Sequence, residues 1–328
     1  MTVGGRPRVL ITHWVHPEAI ERLSQSCEVI ANPTRETWPA ERVRAEAARC
    51  EAMIAFMPDR VDAAFLQACP RLRVIAAALK GADNFDLAAC TRRGVWLATV
   101  PEKLAAPTAE LALALLLALA RRLLPGDDHV RSGAFRGWRP RLYGSGLAGA
   151  TLGIVGMGSV GRALAPRAAA MGMEVVYADP QPGPPGYERV SLESLLAQSD
   201  FVMPLVHLTP DTYQLIDAAA LARMKAGASL VNVGRGSLVD EAAVAASLAA
   251  GRLAGYAADV FEMEDWALEA RPREIHPALL ADRARTFFTP HLGSAVEAAR
   301  REIALEAAEN LLDAFAGVRP RGALNDPR

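Results

Sequence analysis

Residues 151–179 read TLGIVGMGSVGRALAPRAAAMGMEVVYAD. TLGIV is an apolar strand run, RALAPRAAAMG a helical pattern, and EVVYA a second apolar run. Between the first strand and the helix stand Gly156, Met157, Gly158, Ser159, Val160 and Gly161, a GxGxxG pattern. Alone that pattern is weak, because loops use glycine freely. Between a strand and a helix it has the context that dinucleotide binding needs. The first glycine makes the turn, the second lets backbone approach a pyrophosphate, and the third packs helix on strand. Asp179 closes the second strand at the spacing where a carboxylate meets ribose hydroxyls and repels a 2′-phosphate. No Arg or Lys follows before Arg189, so the pattern favours NAD over NADP. Pro166 falls inside the helical pattern and predicts a kink unless it lies near the first turn.

Outward from this unit the alternation continues. RVLIT (8–12), AMIAF (52–56), RVIAAAL (73–79) and VWLA (95–98) read as strands before it, with helices near 17–26, 39–49 and 62–69. FVMPLV (201–206), SLVNV (229–233), GYAADV (255–260) and TFFTP (286–290) read as strands after it. Strands alternating with helices predict parallel sheets in an α/β fold. A long helix is predicted near 107–124, opened by Pro107, and a last one near 293–316. LALALLLALA (111–120) is too short to span a bilayer and reads as a buried helix or a face for a partner subunit. RSGAFRGWRPRLYGSGLAGA (131–150) is irregular, and PQPGPPG (180–186) is a stiff loop directly after a strand.

The 328 residues suggest two domains, and 51% apolar with 22% charged composition fits a globular chain. A formal charge of −1 without any basic block argues against nucleic acid or anionic membrane as partners. Cys27, Cys50, Cys69 and Cys90 are scattered, so neither a disulfide framework nor a zinc site is expected. The first residues hold no apolar signal core, and a cytoplasmic location is the expectation. No metal-binding spacing appears.

Four pieces carry polar chemistry. ALKGADNFD (78–86) puts Lys80 and Gly81 at the end of a buried strand. VNVGRGSLVD (231–240) puts Arg235, AADVFEMEDW (257–266) puts Glu264, and TPHLGS (289–294) puts His291 just past three later strands. Taken singly, a turn arginine or a lone histidine is usually solvated or structural. All three of the later residues, however, follow strands of one doubly wound sheet, whose carboxyl edge is where ligands bind. A histidine with a carboxylate partner can take and return a proton near neutrality, and a guanidinium can clamp an oxyanion.

In these motifs, taken in order, the chain resembles the D-2-hydroxyacid dehydrogenase family over nearly its whole length. ITHWVHPE (11–18), AFMPDRVDAAFLQACP (55–70), ALKGADNFD, VRSGAFRGWRPRLYGSGL (130–147) and DVFEMEDW (259–266) are closest to its phosphite dehydrogenase branch. The resemblance implies two Rossmann-like doubly wound domains with the active site in the cleft between them. Residues 1–103 and 293–328 would form a discontinuous substrate domain, and 104–292 an NAD-binding domain. It also implies a homodimer and oxidation of phosphite to phosphate with NAD⁺ and water. The alternatives are a D-2-hydroxyacid dehydrogenase acting on a glycerate-like or hydroxypyruvate-like acid, and an NAD-sensing corepressor without turnover.

By the same resemblance Arg235, Glu264 and His291 are catalytic. Lys80, Gly81, Met57, Leu104, Trp138, Tyr143, Ser294 and Arg300 line the substrate. The cofactor set adds Thr108, Val206, His207, Val233, Gly234 and Asp259 to Lys80, Arg235, His291, Asp179 and the glycine turn. The chain departs from the pattern at Lys103, His207 and Gly234, and at Asp265-Trp266, where Pro usually follows the Glu.

Overall fold

The computed structural model describes residues 5–327. It forms two compact units, one ending at Leu104 and resuming at Ser294, the other Ala105–Gly293. The first is built on five strands: β1 (Arg8–Ile11), β2 (Glu28–Ala31), β3 (Ala52–Ala55), β4 (Val74–Ala77) and β5 (Trp96–Ala98). They pair in the order β2-β1-β3-β4-β5, and every pairing is parallel. β3 and β4 are buried along their whole length, as strands covered on both faces must be. Helix Glu297–Phe315 closes one face with Ile303, Ala307 and Leu311, and Cys50, Leu66 and Cys90 fill the other. Strand order reverses at β1 and β3, which makes their carboxyl ends this unit's topological switch point.

The second unit has seven strands: β6 (Thr151–Val155), β7 (Glu174–Ala178), β8 (Glu188–Arg189), β9 (Phe201–Pro204), β10 (Ser229–Asn232), β11 (Gly255–Ala258) and β12 (Thr286–Phe288). Their order is β12-β11-β10-β9-β6-β7-β8, again all parallel. The reversal here lies between β6 and β9, so the glycine turn after β6 sits at the switch point. The expected Rossmann-like pair of sheets is what the chain forms.

Several elements differ from the sequence expectation. Helix Ala105–Ala120 ends at a break where Arg122 takes a left-handed φ of 53°, and a separate helix, Leu123–Arg131, follows. Leu115 and Leu116 are buried in the second unit's core, which accounts for the apolar run without a membrane. Among the described residues no helix is long and apolar enough to cross one. Helix Ser159–Ala170 runs through Pro166, whose ring lies on the exposed side. The Arg162 carbonyl that proline leaves without an amide partner is therefore on the side open to water. Strands β2 and β8 were not expected: both are edge strands, β2 with a short apolar run, Val29–Ala31, that is only partly buried, and β8 a fully exposed Glu188-Arg189 pair.

Candidate active site

The glycine turn shows three separate constraints. Gly156 has φ 103°, and a Cβ there would lie 2.9 Å from the Leu205 carbonyl carbon. A Cβ on Gly161 would lie 2.5 Å from the Gly156 carbonyl oxygen, so helix and strand approach as closely as backbone allows. A Cβ on Gly158 would meet nothing within 4 Å. Gly158 caps helix Ser159–Ala170 without a side-chain bond. Open space before a long helix's first amides is a cradle for an anionic group. Asp179 accepts the Met157 N–H at 2.8 Å and the Gln181 N–H at 2.8 Å, which fixes its carboxylate beside the turn. Arg189, distant in sequence, folds back onto this corner and donates to the Asp179 and Pro180 carbonyls at 2.9 and 2.7 Å. These residues fit a dinucleotide, and Gly156, Met157, Gly158, Ser159, Val160, Gly161 and Asp179 are the ones that would hold it.

Arg235, Glu264 and His291 follow β10, β11 and β12, three adjacent strands of one sheet. His291 Nδ1 lies 2.6 Å from Glu264 Oε2, and the other oxygen of Glu264 accepts the Phe261 N–H at 2.8 Å. A carboxylate facing Nδ1 selects the tautomer with its proton there, leaving Nε2 as the basic nitrogen. His291 is held at φ 55°, rare for a side-chain-bearing residue. Asp259 accounts for this. Its carbonyl accepts the His291 N–H at 2.8 Å. Its carboxylate accepts Thr289 Oγ1–H at 2.5 Å, the Leu292 N–H at 2.7 Å and the Gly293 N–H at 2.8 Å. Burial pushes the Asp259 carboxyl up, against these bonds. Both its oxygens are engaged in the histidine turn.

The Arg235 turn is equally determined. Asn232 donates from Nδ2 to the Arg235 carbonyl at 2.8 Å and accepts the Gly234 N–H at 3.1 Å. A Cβ on Gly234 would lie 2.7 Å from the Pro204 carbonyl oxygen, so glycine lets the end of β10 lie against β9. Val233 is buried in the core, Val206 and His207 follow β9, and Thr108 Oγ1 donates to the Gly293 carbonyl at 3.3 Å.

In the first unit the loop after β4 is laced to the loop after β3. Asn84 donates to the Met57 carbonyl, Val61 donates to Asn84 at 3.0 Å, and Asp86 returns a bond to Val61 at 2.8 Å. This holds Lys80, Gly81 and Met57 at one edge of the sheet. Arg300 joins them from the first turn of helix Glu297–Phe315. Its Nη1 lies 3.4 Å from the Ala78 carbonyl and 3.4 Å from Ser294 Oγ, and its Cζ stands 5.6 Å from the Phe56 ring centre. Among the described residues no carboxylate pairs with this guanidinium, and burial alone lowers its pKa. Leu104 packs on the first unit's core, and Lys103 is exposed in an ion pair with Glu302 at 2.8 Å.

Trp138 and Tyr143 are not brought to either group. They are 82% and 73% exposed, on an irregular loop. Sequence reasoning missed Asp265, Glu262 and Glu241, all buried. Glu241 and Glu262 exchange bonds, each accepting the other's backbone N–H, at 3.0 and 3.3 Å, and so brace the Glu264 turn. For Glu241 and Glu262 the sequence signal was a density of acidic residues just past β10 and β11, and for Asp265 its place where the resemblance leads one to expect Pro.

Two α/β units, one carrying a dinucleotide turn and a histidine–carboxylate pair, define a nicotinamide-dependent oxidoreductase. The profile of the D-isomer specific 2-hydroxyacid dehydrogenase NAD-binding domain matches residues 113–293. The glyoxylate reductase of Thermococcus litoralis is 36% identical, over 98% of this chain and 97% of that protein. The glyoxylate reductase of Aeropyrum pernix is 37% identical, over 98% and 96%. The solved TT0316 protein of Thermus thermophilus superposes with a TM-score of 0.89 at 38% identity, over 97% of this chain and 100% of that one. The NADPH-dependent glyoxylate/hydroxypyruvate reductase of Sinorhizobium meliloti, solved with NADP and malonate, gives 0.85 at 28% identity, covering 98% of each chain. The chain belongs to the D-isomer-specific 2-hydroxyacid dehydrogenase family, and its second unit is an NAD-binding domain.

Proposed function

We propose that this chain oxidises phosphite to phosphate with NAD⁺ and water. The observation that supports the reading is Arg300: a half-buried guanidinium with two long hydrogen bonds, an aromatic ring beside it and no carboxylate, at the strand edge that also carries Lys80. A buried cation left without a counter-charge is costly unless an anion completes it. One carboxylate, as on a 2-hydroxy acid, needs one guanidinium, and Arg235 supplies that. Phosphite near neutral pH is largely a dianion, and Arg300 meets the second charge with Lys80 at the same strand edge.

Bound NAD⁺ supplies the hydride acceptor. Arg235, Lys80 and Arg300 hold phosphite oxygens, with the Gly81 N–H beside them. The P–H bond breaks with its electron pair leaving as hydride, and a water oxygen bonds to phosphorus. His291 Nε2 takes a proton from that water, while Glu264 keeps the ring's other nitrogen protonated and oriented. Phosphite, NAD⁺ and water thus give phosphate, NADH and a proton. The exposed Trp138 and Tyr143 suit donation to a second copy's site, which is the homodimer the reading includes.

A second reading is favoured by the named relatives: reduction of glyoxylate or a similar 2-oxo acid by NADH. There Arg235 would hold the carboxylate and His291 would give a proton to the carbonyl oxygen. Purified protein distinguishes the two. NADH appearing with phosphite and NAD⁺, at a kcat/KM at least tenfold above that for D-glycerate, supports the first reading. Efficient NADH consumption with glyoxylate, and none formed with phosphite, supports the second.

A further inference from the structure

Asp265 directly follows Glu264 and stands where this chain departs from the family pattern. It is 3% exposed, and its Oδ2 accepts the Ser237 backbone N–H at 2.7 Å. Ser237 is the centre of the 3₁₀ turn Gly236–Leu238, and Arg235 is the residue on which that turn begins. The two turns are in direct backbone contact: a Cβ on Gly236 would lie 1.8 Å from the Phe261 carbonyl carbon. Phe261 opens the next 3₁₀ turn, Glu262–Glu264, whose Glu264 meets His291. Asp265 is anchored to that turn through its own N–H, which donates to Glu262 at 3.3 Å.

A single carboxylate therefore spans from the turn that carries Glu264 to the turn that carries Arg235. An amide bonded to a carboxylate is held about twice as strongly as one bonded to a neutral acceptor. Proline at this position has no side-chain acceptor and could not make the link. We propose that Asp265 is a positioning residue that fixes the Arg235 turn relative to the Glu264–His291 pair. It thereby sets how well the guanidinium grips the substrate oxyanion. The proposal rests on the reading of Arg235 as the oxyanion-holding residue.

The test measures Asp265→Asn and Asp265→Ala, each in the parent enzyme and in an Arg235→Ala background. The substrate is whichever of phosphite or glyoxylate the parent turns over. Asparagine keeps an acceptor for Ser237 and is expected to hold kcat/KM within about threefold. Alanine removes it and is expected to lower kcat/KM at least tenfold, chiefly through the oxyanion KM. NADH affinity should stay within about twofold in both, since the glycine turn is untouched. In the Arg235→Ala background, Asp265→Ala should cost no more than about twofold, because the residue it positions is gone. Should Asp265→Ala fail to fold, Asp265→Glu, with its longer arm, carries the same comparison. Equal losses in both backgrounds, or parent-like activity for the alanine variant, would overturn the proposal. Parent-like activity for Arg235→Ala alone would instead overturn the reading of Arg235 on which it rests.

Discussion

Replacing Asp179 with alanine removes the acceptor for two amides, Met157 N–H at 2.8 Å and Gln181 N–H at 2.8 Å, and deletes the charge beside the glycine turn. It leaves Arg189 in place, because that guanidinium is held by the backbone carbonyls of residues 179 and 180 and not by the carboxylate. The corner thus changes from a carboxylate backed by a cation to a cation alone. A hydrogen bond to a charged group is worth about 1.5–3 kcal/mol, which is roughly 10- to 150-fold in Kd. NADH affinity should fall by at least tenfold. NADPH should lose nothing, since repulsion of its 2′-phosphate is relieved and Arg189 is near. Titrating the fluorescence of each reduced cofactor with pure protein reads both constants without any substrate. Equal weakening of NADH and NADPH would mean that Asp179 only supports the turn. An unchanged ratio refutes the reasoning.

Three further outcomes are expected. Gly161→Ala places a Cβ 2.5 Å from a backbone oxygen that cannot move aside. It should cost about 1–3 kcal/mol in a denaturant melt and weaken NADH binding, whereas Gly158→Ala, facing open space, should leave the melt unchanged. His291→Asn keeps a residue that tolerates the left-handed backbone, so turnover should drop by about 10²–10⁴ while NADH affinity holds. Asp59 is buried, bonded to Thr12 Oγ1–H at 2.5 Å and the Phe56 N–H at 2.7 Å, yet burial pushes its carboxyl up to about 6. Its folded value exceeds the unfolded one, so the stability linked to its proton is full below about pH 4 and lost as pH rises through about 6. The loss is on the order of 3 kcal/mol, from about two pK steps. Asp59→Asn should therefore raise the melting temperature at pH 7.5 relative to the parent and flatten its change between pH 4 and 6. A parent-like pH profile would exclude Asp59 as its source.

The architecture was legible wherever strands are central. β3, β4, β9, β10 and β11 are buried along both faces, and burial demands the continuous apolar runs that the eye picks out. β8 escapes because it is a two-residue, fully exposed edge strand of Glu188 and Arg189, and β2 because its apolar run is only the three residues Val29–Ala31. The glycine turn was legible because Gly156 and Gly161 each answer a steric demand that a side chain would violate, while Gly158 keeps the space before the helix open. Arg235, Glu264 and His291 were legible as residues just past strand ends. What holds them was not: Asp259 reaches residues 289–293, and Asp265 reaches Ser237, across strand-to-strand neighbours whose proximity only the sheet order creates. Arg189 shows the same limit. It stands ten residues past Asp179, too far to weigh on cofactor choice in the sequence, and the stiff loop between them folds it back onto the corner.

In the proposed reaction the hydride comes from phosphorus. Phosphite carrying deuterium on phosphorus, incubated with NAD⁺ and the pure protein, tests it directly. Phosphorus NMR should show the phosphite signal replaced by phosphate. Mass spectrometry should show one deuterium in the NADH for each phosphate formed. Unchanged phosphite, from a protein that in parallel oxidises NADH with glyoxylate, would exclude phosphite oxidation and establish a 2-oxo acid reductase in its place.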